Sequence, residues 1–197
     1  HDAIGRLRDS GKKVVALLDL GQIGASNEIY VASAANEVYV VPGFLGPLTG
    51  MSGELMLLGG LLDQVGVAVE YERIGAYKSA PESYAESQLS EPAREMYTEL
   101  MDGLFADLVD VVAKGRKIEP LELRAIIDRA PRTANEWIDA GLAVGIAGRE
   151  GVLEAAGWKD IEEIGLDTYL HVDPQDLGLR TGPKIALIFA EGAIVPG

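Results

Sequence analysis

The run KVVALLDL, Lys13 to Leu20, sets an unbroken apolar stretch from Val14 to Leu18 between charged ends. A strand with one wet face alternates apolar and polar residues. A continuous valine- and leucine-rich run suits a strand covered on both faces, as in a parallel sheet. Parallel neighbours need crossover segments between them, usually helices. The rest of the chain reads as a supply of such crossovers.

Residues Asp2 to Arg8 look like the end of a helix closed near Gly11. After the first strand, a helix is expected from about Ala25 to Ala35, and EVYVVP forms a short strand stopped at Pro42. A Gly/Pro-rich loop spans Gly43 to Gly50. Ser52 can cap a helix reaching about Val65. In VAVEYERI, Val67, Val69, Tyr71 and Arg73 alternate with Ala68, Glu70, Glu72 and Ile74, which predicts another strand.

A long amphipathic helix follows. Ser90 caps it, Pro92 sits in its first turn, and Met96, Leu100, Leu104 and Leu108 recur at helical spacing toward a close at Gly115. Further helices begin near Pro120 and at TANEW, where Thr133 and Glu136 have capping-box spacing. AGLAVGIAG reads as a short return strand, Glu150 to Ala156 as a helix, and TYLHV as a strand. A polar Pro/Gly stretch then precedes the apolar run KIALIFA. The alternation predicts an α/β layered fold, a parallel sheet with flanking helices.

The inventory of reactive groups narrows the chemistry. The formal charge of −14 repels nucleic acid and anionic lipid, so no nucleic-acid partner is expected. Without cysteine there is no disulfide, thiolate metal site or cysteine nucleophile. The two histidines are His1, at the chain start, and His171, read as a strand residue. Neither has a serine in a sharp strand-to-helix turn nearby, as a Ser-His-Asp triad needs. No metal-ligand spacing and no dinucleotide or phosphate loop appears, so no metal and no cofactor is expected. FLGPLTGMSGELMLLGGLL, broken by Pro47, Glu54 and several glycines, reads as loop plus buried helix rather than a membrane span.

Lysine remains as a base. The stretch RIGAYKSAPESY, Arg73 to Tyr84, sets Lys78 among small and apolar residues between a predicted strand and a predicted helix. A free lysine titrates near 10.4, and lowering it to about 8 costs roughly 3 kcal/mol. That demands burial or a nearby cation. Ile74, Ala76, Tyr77 and Ala80 are the candidate wall for such a site.

GAYKSAPESY followed by LSEPARE resembles the lysine segment of the signal peptide peptidase A family, Ser/Lys peptidases of the ClpP/crotonase-like superfamily. GASNEIYVASAANEVYVVP is similar to the family's serine segment, and GRKIEP and TANEWIDAGLAVGI to later landmarks. The resemblance covers nearly the whole chain. It implies Lys78 as general base of a Ser/Lys dyad. Ser26 falls at the nucleophile position, but Asn27 and Glu28 replace two glycines that let the family's backbone form an oxyanion hole. Leu48 stands where a serine orienting the lysine is expected. KIALIFAEGAIVPG resembles the opening strand of a second domain.

These departures imply the long, two-domain form of the family, with Ser26 a relic and the working serine in the second domain. The expected organisation is a lysine-bearing domain over 1–173, a linker over 174–183 and the first strand of a second domain over 184–197. The start in mid-element suits a piece of a longer protein. The resemblance further implies a peptide substrate, such as cleaved signal peptides, and a homo-oligomer forming a tetrameric ring. It also implies an anchor outside these residues, holding the protein to the bacterial inner membrane with its catalytic part on the periplasmic side. Two rival readings stand beside it. One is a non-catalytic crotonase-like scaffold that binds peptides. The other is a thioester enzyme, for which no convincing glycine-rich oxyanion setting is present.

Overall fold

The computed structural model describes residues 1–20 and 25–173. Two compact units divide between Lys159 and Asp160.

In the first unit, α1 (Asp2–Asp9) turns through Gly11, at φ +87°, toward β1 (Val15–Leu18). Next come α2 (Ser26–Ala32) and β2 (Glu37–Val40). β2 pairs parallel to β1, with Val15 opposite Glu37 and Leu18 opposite Val40. Asn36 starts this ladder, because its side-chain oxygen accepts from Val14 N at 2.8 Å while its own N–H donates to Val14 O at 2.9 Å. Five helices then intervene: α3 (Gly59–Gln64), α4 (Glu82–Ala85), α5 (Glu91–Arg116), α6 (Pro120–Arg129) and α7 (Ala134–Asp139). β3 (Gly145–Ile146) returns to pair parallel with β2, and α8 (Arg149–Ala156) follows. The sheet order is β1-β2-β3, so the α/β reading of a parallel sheet with flanking helices holds.

Val38 and Val40 share one face of β2 and are fully buried, while Glu37 and Tyr39 on the other face are half-buried. Ile29, Leu108, Val109, Val112, Leu123, Ile126 and Trp137 pack around them from α2, α5, α6 and α7. Burying one such side chain contributes about 1.5–3 kcal/mol. The capping box at α7 is formed: Glu136 N donates to Thr133 Oγ1 at 3.3 Å, and Thr133 N donates to Glu136 Oε2 at 2.9 Å. Ser90 caps α5 by accepting from Ala93 N at 3.3 Å.

Several expectations are corrected. Residues 67–74 form no strand despite their alternation. Among the described residues they have no ladder partner, and Val67 and Val69 stay partly exposed. The helix expected from Ser52 to Val65 is only α3. Ahead of it, Leu58 N donates to Ser83 O at 2.7 Å, so the backbone here bonds the lysine segment instead of its own preceding turn.

Gly115 does not close α5. The helix runs one residue further and ends on Lys117 in the left-handed region, φ 59°. Gly115 instead allows close packing, since a Cβ there would overlap the Ser33 carbonyl. α5 is buried at Ala93 in its first turn and at Leu108, Val109, Val112 and Ala113 in its C-terminal half, whereas Leu100 and Leu104 between them are exposed.

In the second unit, TYLHV is not a strand. α9 (Leu166–Leu170) takes its place and His171 is its C-terminal cap residue. Leu166, Tyr169 and Leu170 follow i, i+3, i+4 spacing, and Tyr169 N donates to Gly165 O at 3.0 Å. The helical period prevails over the two-residue one. The expected linker at 174–183 and strand at 184–197 lie outside the described residues. Among the described residues no helix is long and apolar enough to cross a membrane.

Candidate active site

Lys78 lies on a loop closed by two turns. Its own N–H donates to Gly75 O at 3.3 Å, and Glu82 N donates to Ser79 O at 3.0 Å. Gly75 supplies the left-handed backbone, φ +97°, that the first turn uses. Lys78 lines a cavity of about 740 Å³ together with Ile74, Tyr77, Pro81, Met96 and Tyr97. The cavity is open and Lys78 is exposed. The apolar wall expected around it is therefore not closed within these residues: Ile74 is 95% and Tyr77 57% exposed, and Ala76 and Ala80 are also exposed. Tyr77 reaches α5, where its hydroxyl donates to Glu95 Oε2 at 2.9 Å. That acceptor raises the phenol above its ordinary value.

Beneath the loop lies a carboxylate that the sequence reading did not single out. Glu82 is 1% exposed. Its Oε1 accepts from Ser90 Oγ at 2.7 Å and from Arg73 Nη1, and its Oε2 accepts from Ser90 N at 3.0 Å. The Ser90 hydroxyl contributes most to lowering the Glu82 carboxyl below its ordinary value. The Ser90 N–H and then Arg73 add to this, while burial opposes it. Ser90 was legible as a cap, but an acid eight positions before a capping serine follows no local period, so nothing in the sequence marked Glu82.

Ser26 sits elsewhere in the first unit. It is the first residue of α2 rather than its cap; Ala25 occupies that place, and no side chain caps the helix. The Ser26 hydroxyl donates to Thr49 O at 2.9 Å. Ala25 N donates to Pro47 O at 3.0 Å, so the 43–50 loop holds this helix end twice. Trp137, fully buried, holds the loop in turn, with Nε1 donating to Gly46 O at 2.9 Å and its ring edge-on to Phe44 at 5.0 Å. Leu48 is 1% exposed and belongs to the core. Asn27 and Glu28 line a different groove, about 500 Å³, against β1. Ser26 is not among the residues lining the Lys78 cavity. Among the described residues no three His, Asp or Glu side chains are grouped to hold a metal ion.

A parallel sheet flanked by helices, with a lysine loop over an open, mostly apolar cavity, defines an α/β protein with a candidate site at that loop. The model of Peptidase family S49 matches residues 6–158, and the chain belongs to that family. It is 31% identical to Protease 4 of Salmonella typhi over 99% of this chain and 33% of that protein. It is 29% identical to the chloroplastic serine protease SPPA of Arabidopsis thaliana over 95% of this chain and 28% of that one. With Protease 4 of Haemophilus influenzae the identity is 27%, over 99% of this chain and 34% of the relative. The chain thus spans about a third of the length of these relatives. The resemblance to the signal peptide peptidase A family is borne out.

Proposed function

We propose that this chain is the lysine-bearing part of a serine-type endopeptidase working by a Ser/Lys dyad. Lys78 is the general base. It takes the proton of a serine as that serine attacks a peptide carbonyl, and returns it to the leaving amine. The serine comes from a second domain outside these residues. The observation that carries the reading is the separation of the two candidates: Lys78 faces the large apolar cavity, while Ser26 is bonded to Thr49 O and lines no part of it. The open side of the cavity and the exposed Ile74 leave room for a covering element that would desolvate the lysine.

The substrate class is an extended apolar peptide, cleaved signal peptides included, bound by strand addition. Assembly as a ring of four copies, and tethering to the bacterial inner membrane with this part on the periplasmic side, complete the proposal. The test is Lys78→Ala in the whole protein. A fall in kcat of about 10²–10⁴ supports the base assignment; near wild-type peptidase activity sinks it.

A second reading, a non-catalytic peptide-binding scaffold, draws on the exposure of Lys78 and on Asn27 and Glu28 at the glycine positions. Peptide binding by the whole protein, without turnover of any peptide and with no loss in Lys78→Ala, would favour it.

A further inference from the structure

We infer that Glu82 is the positioning residue for Lys78, the buried anchor that sets where the ammonium stands over the cavity. This rests on the reading of Lys78 as the base.

Three features carry it. First, Glu82 brackets the lysine in the chain. It binds Arg73, five residues before Lys78, and follows Lys78 by four residues itself. The Lys78 loop is therefore closed at its foot by one carboxylate, with the Gly75 turn inside the closure. Second, the same carboxylate takes both the N–H and the hydroxyl of Ser90, the cap of α5. The loop is thereby fixed to the helix that also contributes Met96 and Tyr97 to the cavity. Third, a surface loop of this kind has no need of a buried charge. Glu82 is 1% exposed and bonded to three donors, whereas Lys78 and its neighbours Tyr77 and Ala80 are exposed. Burying a carboxylate is costly unless it is hydrogen-bonded, and the three donors to Glu82 hold it in one place.

Position matters because a base must lie within hydrogen-bond reach of the hydroxyl it serves. Misplacement by about 1 Å can cost on the order of 10²-fold in rate. A glutamine at 82 keeps the size but turns an NH₂ group toward donors. An aspartate keeps the charge but is one methylene shorter.

The experiment uses the whole protein and a peptide substrate, with rates expressed per folded molecule. Glu82→Gln is expected to lower kcat at least tenfold while KM stays within twofold, and Glu82→Asp to recover part of the loss. A merely structural Glu82 predicts the opposite: fewer folded molecules or a lower melting temperature, with kcat per folded molecule unchanged. That result overturns the inference. If Glu82→Gln does not accumulate, Ser90→Ala removes one of the three donors and leaves the carboxylate. The same selective fall in kcat supports the role, and an unchanged kcat overturns it. A fully active Lys78→Ala protein removes the base reading itself. A dead Lys78→Ala beside a fully active Glu82→Gln removes only the role given to Glu82.

Discussion

The Ser26 hydroxyl donates to the Thr49 carbonyl at 2.9 Å, on a loop that Trp137 holds in the core. This bond gives the serine a structural task at the start of α2. Ser26→Ala is expected to lose about 0.5–1.5 kcal/mol of stability and to keep peptidase activity close to wild type in the whole protein. Loss of a working nucleophile costs on the order of 10⁶ in kcat, so a steady-state assay separates the two cases.

Lys78→Arg tests the kind of help the lysine gives. Arginine keeps the positive charge but cannot be deprotonated in a protein. A base therefore fails on this substitution as badly as on alanine. If arginine restores the rate, Lys78 acts by charge alone.

Trp137 fills the core under the 43–50 loop and donates to Gly46 O at 2.9 Å and Pro131 O at 3.3 Å. Trp137→Ala is expected to cost about 3–5 kcal/mol, measured by urea denaturation. Trp137→Phe keeps most of the volume but takes the indole donor from Gly46 O and leaves Pro131 O with Leu48 N, at a cost of about 1–3 kcal/mol.

Two glycines of α5 should respond with opposite sign. A Cβ at Gly103 meets nothing within 4 Å, and Gly103→Ala is expected to raise stability by roughly 0.5–1 kcal/mol. A Cβ at Gly115 runs into the Ser33 carbonyl, and Gly115→Ala is expected to lower stability by about 1–3 kcal/mol. Melting temperatures of the pair read the difference directly.

Glu136 accepts from the N–H groups of Thr133 and Arg132, which hold its carboxyl below the ordinary 4.5, with Thr133 first. Its contribution is full above that ordinary value and is lost as pH falls through the lower folded value. Glu136→Gln should therefore destabilise near neutral pH and make little difference in acid below both values. Urea midpoints across that range should converge on the acid side.

Local signals in the sequence were enough for the caps at Ser90 and Thr133 and for β1, β2 and β3. Thr133 and Glu136 announce their capping box because both partners lie within one turn. The run from Val14 to Leu18 announces β1 by its unbroken apolar content, although Leu18 alone is buried and the others are half-buried along a groove. Residues 67–74 misled because alternation states a preference, whereas a strand also needs a neighbour to pair with. The 52–58 stretch misled in the other direction, since its backbone partner Ser83 O lies some 25 residues away along the chain. Of the candidate site, the Lys78 loop was visible from its small residues and its family likeness. Glu82 was not, because Arg73 and Ser90 meet it only when the loop folds back on α5.

The length of α5 acquires a meaning from what grips its two ends. At one end Ser90 caps the helix and holds Glu82; at the other Arg116 donates to the carbonyls of Ser33 and Ala35, just before β2. Between them run the 26 residues of a helix about 39 Å long. Each residue added to or removed from that rod would turn one grip against the other by about 100° and shift it by about 1.5 Å. A substitution on the exposed face of α5 leaves both grips in place, whereas an insertion or deletion moves one against the other. In this segment the residue count itself is under constraint.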